Sequence, residues 1–467
     1  MYTKKAHIHF VGIGGIGMSG IATILKQQGY TISGCDNDTS QDTAQTLQKL
    51  GCNVYQGNNH VLCDDPTIDT LVYIPMFATT ITAVNTEITR AQSRGIPTIT
   101  RARMLAELMR TKYSIAIAGS HGKTTTTSLI SHILIEAHMD PTVIIGGKLK
   151  NLSSNARMGM GDFLVAEADE SDRSFLQLHA TLAVITNIDL EHLETYADLD
   201  DIKQSFMQFI NNLPFYGKAI ICIDDTNIRS LLPLQHIKTI FYGIDYAADI
   251  YAQNIILNAD HSFFTVYIKN NPAPLGTIKL PMPGKHNVYN ALGAIALTRE
   301  IGIDFDTITR SLTTFEGIER RFSFRGTYNG ADIFDDYGHH PVEIKNTLTV
   351  ARKRTKNKLT VVFQPHRYTR TEKLWNDFIT TFAQSGLDTL IITDIYSAGE
   401  LPIDTITSAR LAQELISLNP PFAVHYVPFE DDFTQIKQSI TQSISNNDLL
   451  LLLGAGKVYH LARELAE

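Results

Sequence analysis

Short continuous apolar runs alternate with stretches whose apolar positions recur every three to four residues, almost from end to end of the chain. Runs without polar alternation mark strands covered on both faces, and the helical stretches between them supply the covering layers. The pattern predicts an α/β protein of parallel sheets wound with helices. It opens with a strand over Ala6–Gly12, a helix over Gly17–Gln28 and a second strand over Tyr30–Cys35, and further units run to Glu107. It restarts at Tyr113–Ala118, which leads straight into Gly119–Thr124 and a Thr-rich helix start, and continues through apolar runs at Phe163–Ala166 and Leu182–Ile185. Between Asp249 and Leu280 the period changes to two, as in Phe263–Ile268, which predicts a small antiparallel sheet. Helical periodicity over Asn287–Ile301 and a linker at Gly317–Arg321 lead to a third block, with strands at Ala331–Phe334, Leu359–Phe363, Thr389–Ile392 and Leu449–Leu453.

These restarts divide the chain into three domains: a Rossmann-like domain over 1–107, a central domain over 108–318, and a second Rossmann-like domain over 319–467. The central one is expected to resemble a P-loop ATPase, with a mostly parallel sheet and the small antiparallel one. A length of 467 residues suits that number. Composition narrows the function. With 43% hydrophobic and 19% charged residues the chain folds throughout, and its formal charge of -8 disfavours broad nucleic-acid binding. The four cysteines form no CxxC pair and match no histidine spacing, so neither a disulfide framework nor a zinc ribbon is expected. Lys4-Lys5 precedes an apolar stretch, but His7, His9 and the glycines that follow do not suit a signal peptide. No apolar run reaches the roughly 18 residues of a spanning helix. A cytoplasmic protein without membrane insertion is expected.

The loop Gly119-Ser120-His121-Gly122-Lys123-Thr124 lies between an expected strand and helix. Its glycines let backbone N–H groups approach phosphate, Lys123 can neutralise β/γ charge, and the Thr124 hydroxyl can bind Mg2+. Ile117 stands where the full-length motif has glycine, so this is a shortened form; a glycine turn before a Thr-rich helix is its bland alternative. Glu167 is the first acid after an apolar run and can reach a metal beside a triphosphate. Asp169, Glu170 and Asp172 fit a solvated acidic loop equally well. His192 and Asp189 follow the next strand, at the same sheet edge if the strands are parallel. Gly12-Ile13-Gly14-Gly15-Ile16-Gly17 has the G-x-G-x-x-G form, with Asp36 ending the next strand. A dinucleotide and a nucleotide-diphosphate sugar suit that loop alike, so a nicotinamide oxidoreductase stays open at this point, as does a nucleotide-gated binding protein without turnover.

Taken together, His9–Gly20, Gly119–Thr127, Glu167–Asp172, Gly284–Asn290, Arg320–Phe322, Asp335–Pro341 and Phe363–Arg370 resemble, in order and over nearly the whole chain, the Mur ligases of bacterial cell-wall synthesis. The resemblance implies ATP-dependent amide formation through an acyl-phosphate. Within the family, Gly14–Ser19 looks most like the branch that adds L-alanine to the lactyl carboxylate of UDP-N-acetylmuramate; the branch that attaches a recycled tripeptide is the alternative. The resemblance implies that Gly14, Gly15, Ile16, Gly17, Met18 and Asp36 hold the UDP-sugar. Gly119, Ser120, His121, Gly122, Lys123, Thr124 and Thr125, with Asn287, Asn290, Arg321 and Asp336, would hold ATP, and Tyr337, His339, Arg367 and Arg370 the amino acid. Thr124, Glu167 and His192 would bind Mg2+, Lys123 would act on the phosphoryl group, and His339 is a candidate base for the amine. Asn287 and Asn290 also fit a helix cap, and Arg367 an ordinary surface cation. Ile74-Pro-Met-Phe-Ala78 departs from the family pattern, which puts uridine or sugar contacts there in doubt. A monomer or homodimer acting on small molecules, with closure between domains, completes the expectation.

Overall fold

A computed structural model describes residues 5–58, 61–75, 82–149, 154–192 and 195–466. Met76–Ala78 of the departing stretch, and Lys4, lie outside the described residues. The chain forms two compact units, one of Met1–Ile255, Phe264–Lys279 and Asn287–Glu316, the other of Ile256–Phe263, Leu280–His286 and Gly317–Glu467.

The first unit begins with a five-stranded parallel sheet in the spatial order Asn53–Gln56, Thr31–Asp36, His7–Val11, Thr70–Tyr73 and Thr98–Thr100. The first strand is central and buried along its length, as a parallel sheet covered by helices on both faces requires. Helix Ile16–Gln27 follows it and is buried all round over Met18–Leu25, with Gly20 lying close against Ile144, Asn155 and Ala156.

A ten-stranded sheet follows, with Tyr113–Ala118 between Leu182–Ile185 and Phe163–Glu167 near its middle, all parallel. The register sets Ile117 level with both Glu167 and Val184, so the three strands end together and release their loops on one edge. Helix Lys123–Glu136 is buried on nearly every side, and its hydroxyls find separate partners: Ser128 donates to Thr124 O at 2.7 Å and Thr126 to Asn290 Oδ1 at 3.4 Å.

The segment expected as a small antiparallel sheet is folded as Ile250–Leu257, Ser262–Ile268 and Gly276–Leu280, and these strands extend the ten-stranded sheet rather than standing apart. Backbone bonds from Asn258 to His261 and from Lys269 to Asp249 close the first two into a hairpin. At the other end of the sheet an antiparallel pair, Thr142–Leu149 with Ser154–Arg157, was not expected, because its glycines and polar residues interrupt any simple period.

The second unit carries a six-stranded sheet in the order Ser323–Tyr328, Ala331–Asp336, Leu449–Leu453, Leu359–Phe363, Thr389–Ile392 and Ala423–Tyr426. It is parallel except for the first strand, which runs antiparallel to the second and carries a bulge between Phe324 and Gly326. Among the described residues no helix is long and apolar enough to cross a membrane.

Candidate active site

The edge where Ala118, Glu167 and Ile185 end carries most of the predicted chemistry. Gly119–Thr124 wraps the start of helix Lys123–Glu136, and Gly122, with φ of 82°, takes the left-handed turn that opens it without a side-chain cap. The following strand's end holds the loop in place. Ser120 N donates to Asn187 O at 3.1 Å, His121 N to Asn187 Oδ1 at 2.8 Å, and the Thr186 hydroxyl to His121 O at 2.6 Å. His121 Nε2 meets Asp189 Oδ2 at 3.0 Å. Asn290 closes the loop from a third side: a Cβ on Gly122 would lie 2.4 Å from its Oδ1, and its Nδ2 donates to Asn287 Oδ1 at 3.3 Å. Asn290 is therefore buried against the loop, and Asn287, equally buried, accepts from Asn290 rather than facing solvent.

Lys123 folds back over this loop. Its Nζ donates to Gly119 O at 2.6 Å and to Glu170 Oε1 at 2.8 Å. Burial lowers its pKa, but Glu170 and Asp169 outweigh burial and the net shift is upward, so the ammonium stays charged. Glu170, read from sequence as equally consistent with a solvated loop, is 2% exposed and is the lysine's counter-ion. Its Oε2 is buried with no hydrogen-bond partner among the described residues. Asp169 keeps 40% of its side chain exposed but is paired: Arg101, 3.1 Å away, and Lys123 hold its carboxyl well below the usual range.

The three predicted metal ligands fall into two groups. The Thr124 hydroxyl donates to Glu167 Oε2 at 3.2 Å, and Glu167 Oε1 accepts from Gly146 N at 2.7 Å. His192 stands instead with Glu170 and Glu191, its Nε2 at 3.5 Å and 3.7 Å from their carboxylates, and ligand atoms of the three lie within 4.8 Å of one another. His192 has φ of 55°, a conformation that costs a non-glycine residue about 1 kcal/mol and is held here by turn bonds from Thr195 and Tyr196 to its carbonyl. Hard oxygen donors beside a phosphate loop, together with an unpartnered buried carboxylate oxygen, fit Mg2+. Glu191 had no signal of its own in the sequence.

At the first glycine loop, helix Ile16–Gln27 starts at Gly15 without a side-chain cap, leaving its leading N–H groups available. Asp36 does not reach out from the loop; it holds it, accepting from Gly14 N at 2.8 Å and Asp38 N at 3.0 Å. Met18 is fully buried, so its side chain belongs to the core and not to a binding surface. Arg101, which sequence reasoning missed, approaches so closely that a Cβ on Gly17 would lie 2.7 Å from its Nη1.

In the second unit, Asp336 ends its strand and accepts from Phe322 N and Gly338 N, both at 2.7 Å, and from the Thr347 hydroxyl at 3.1 Å. Burial pushes its carboxyl up to about 6 even with Arg321 close by. Arg321 lies over the Tyr337 ring, 5.5 Å from its centroid, and 3.8 Å from Glu343. Tyr337, His339 and His366 follow one another at ring separations of 5.3 and 5.5 Å, and Arg370 Nη1 donates to His366 Nδ1 at 3.0 Å. Burial pushes His366 down to about 2, which keeps it neutral and able to accept that bond. The structure thus gathers Tyr337, His339 and Arg370 around a histidine that was not predicted. Arg367, with φ of 69°, begins helix Tyr368–Lys373 and donates its N–H to Tyr396 O at 2.8 Å.

Three family models match consecutive parts of the chain: the Mur ligase family catalytic domain over residues 7–113, the Mur ligase middle domain over 117–298, and the Mur ligase glutamate ligase domain over 320–456. The UDP-N-acetylmuramate–L-alanine ligase of Syntrophotalea carbinolica is 46% identical over 100% of this chain and 99% of its own length. That of Syntrophus aciditrophicus is 46% identical over 98% of this chain and 92% of its own. Among solved structures, the UDP-N-acetylmuramate-alanine ligase of Thermotoga maritima superposes with a TM-score of 0.81 at 27% identity, covering 98% of each chain.

Proposed function

The chain belongs to the Mur ligase family, and from that premise we propose that it joins L-alanine to the lactyl carboxylate of UDP-N-acetylmuramate with hydrolysis of ATP to ADP and phosphate. One observation carries the chemistry: a charged lysine, a hydroxyl and two carboxylates, Glu167 and Glu170, converge on a glycine loop at the start of a buried helix. That is equipment for neutralising a phosphoryl group in flight, which a nicotinamide enzyme does not need.

A carboxylate cannot expel oxide at neutral pH, so the lactyl oxygen attacks the γ-phosphorus of ATP, the bond to the β,γ-bridging oxygen breaks, and ADP leaves. In this reading Gly119–Thr125 cradle the phosphates, Lys123 shifts from Glu170 towards the γ-phosphoryl oxygens, and Asn287 and Asn290 serve the adenosine. Thr124, Glu167 and His192, joined by Glu170 and Glu191, would hold Mg2+, which when bound offsets the negative charge of the triphosphate and the approaching carboxylate. Gly14–Gly17 receive the UDP diphosphate on an uncapped helix start, with Arg101 alongside. In the second unit Arg370 and Arg367 suit the alanine carboxylate, and His339, whose Nδ1 lies 3.1 Å from Tyr337 O, is the candidate to take the ammonium proton before nitrogen attacks the acyl carbon and phosphate departs. We assign residues 1–107 to the sugar nucleotide, 108–318 to ATP and 319–467 to the amino acid, and place the enzyme in the cytoplasm.

The reading is tested by following ADP and phosphate release with each of the amino acids, with and without UDP-N-acetylmuramate and Mg2+. Release that requires the sugar nucleotide and is fastest with alanine is expected. Turnover with a tripeptide but not with alanine, or ADP formation indifferent to the sugar nucleotide, would overturn it.

A further inference from the structure

Four side chains from four separate elements meet inside the N-terminal sheet domain. His9 projects from the central strand, Cys35 from its neighbour, Cys63 from the short turn Val61–Asp64, and Glu87 from helix Thr82–Ser93. All four are buried, none more than 5% exposed, and one ligand atom from each lies within 4.8 Å of the rest. His9 Nε2 is 2.9 Å from Glu87 Oε1, and Cys35 Sγ is 3.3 and 3.5 Å from the two Glu87 oxygens. The other imidazole nitrogen is already committed: His9 Nδ1 meets the Ser33 hydroxyl at 2.8 Å, Ser33 meets His7 Nε2 at 2.7 Å, and His7 Nδ1 meets the Thr67 hydroxyl at 2.8 Å.

We propose that His9, Cys35, Cys63 and Glu87 bind one divalent cation of the zinc class. Two sulfurs, one imidazole nitrogen and one carboxylate make a four-donor set of the borderline-soft kind that zinc takes in tetrahedral sites. Metal–ligand lengths of 2.0–2.3 Å place tetrahedral donors about 3.4–3.8 Å apart, so the His9–Glu87 and Cys35–Glu87 approaches need open by only about half an ångström. The Ser33–His7–Thr67 chain fixes the imidazole's orientation from behind, which is the support a ligating histidine requires. Binding releases the two thiol protons and the proton shared by His9 and Glu87 to solvent, leaving two thiolates, a neutral imidazole and a carboxylate on the ion. The oxygen-rich phosphate loop suits hard Mg2+, so donor chemistry keeps the two metals apart. The ion would also brace the first glycine loop, because Cys35 O accepts from Gly12 N at 2.8 Å and from Ile13 N at 3.0 Å.

The test is elemental analysis of the full-length protein purified without chelator from zinc-supplemented cells, beside the Cys35→Ser/Cys63→Ser variant. About one zinc per chain is expected in the parent, with a loss of roughly tenfold or more in the variant. Cobalt-exchanged parent protein should show a thiolate-to-cobalt charge-transfer band in the near ultraviolet that the variant lacks. Should the double variant not fold, Glu87→Gln takes its place and should lower zinc retention against a competing chelator by a similar factor. Zinc at background in the parent overturns the proposal, whether its two thiols react freely after unfolding or appear by mass as a disulfide; so does equal zinc in parent and variant. None of these readings depends on ligase turnover, so a failure here is separable from a failure of the proposed function.

Discussion

The first unit contains two glycine loops built on one plan and surrounded by opposite chemistry. Gly12–Gly17 and Gly119–Thr124 each follow a parallel strand that is buried where it enters the loop, and each opens a helix without a side-chain cap. Either could hold phosphate with backbone alone. Around the first loop the protein's own carboxylate and carbonyl take up loop N–H groups: Asp36 bonds Gly14, and Cys35 O bonds Gly12 and Ile13. The cation beside it, Arg101, comes from another helix and is tied to Asp169. Around the second loop the lysine belongs to the loop itself, and its counter-ion Glu170 can release it to a ligand. The difference teaches that a helix start suffices to hold a diphosphate, whereas moving a phosphoryl group needs a charge that can change partners.

The largest expected break in that comparison is Lys123→Ala. ADP formation should fall on the order of 10³-fold, while binding of UDP-N-acetylmuramate, read by calorimetry, stays within about twofold. The change also strands Glu170 as a buried charge without its cation, so the unfolding midpoint should drop. Adding Glu170→Gln should restore the midpoint and leave activity lost. ADP formation within tenfold of the parent in a folded Lys123→Ala protein would refute the assignment of the second loop.

Next in size is Glu167→Gln. It keeps the side chain's shape and one acceptor but removes the negative charge from the carboxylate whose Oε2 meets the Thr124 hydroxyl. A loss of about 10²-fold in ADP formation is expected, partly recovered by raised Mg2+, with no change at the sugar-nucleotide loop. Recovery by Mg2+ is the decisive arm, since a merely structural Glu167 would give a loss that the ion does not touch.

Gly14→Ala strikes the other loop. Its new Cβ would sit 2.9 Å from Asp36 Oδ2 and 3.1 Å from the carboxyl carbon, so the carboxylate must leave the Gly14 N–H. The KM for UDP-N-acetylmuramate should rise roughly tenfold and that for ATP should stay put. Equal increases in both would mean that the two loops are not separate sites.

How much of this was legible beforehand follows from which signals are local. Strand, loop and helix at Tyr113–Glu136 could be read because an apolar run, two glycines and a helix lie within two dozen consecutive residues. Thr124 and Glu167 could be anticipated because parallel strands end on one edge, and the register bears that out. Glu170 could not, because in sequence it is one of four acids in a polar stretch; only the turn after Glu167 folds it back beneath Lys123. His366 and Glu191 were hidden for a similar reason, each acquiring its meaning from neighbours supplied by other segments. The His9–Cys35–Cys63–Glu87 cluster is the extreme case: spacing rules for metal sites look for neighbours along the chain, and these ligands are brought together by strand order and a packed helix.

The finest distinction between the two loops rests on Asp36. If it served a ribose hydroxyl, as the corresponding acid does in a dinucleotide site, removing its charge would cost ligand affinity directly and leave the free protein's loop as it was. Here both oxygens are taken by backbone, Oδ2 by the loop's Gly14 N–H and Oδ1 by the N–H of Asp38 in its own turn. Asp36→Asn can satisfy one of those donors but must turn its own N–H towards the other, at a cost of about 1 kcal/mol. The expected result is a rise of about fivefold in the KM for the sugar nucleotide, together with faster amide exchange at Gly14 in the protein without ligand. Unchanged exchange beside weakened binding would return Asp36 to the role of a direct ligand and remove the contrast between the loops at that position.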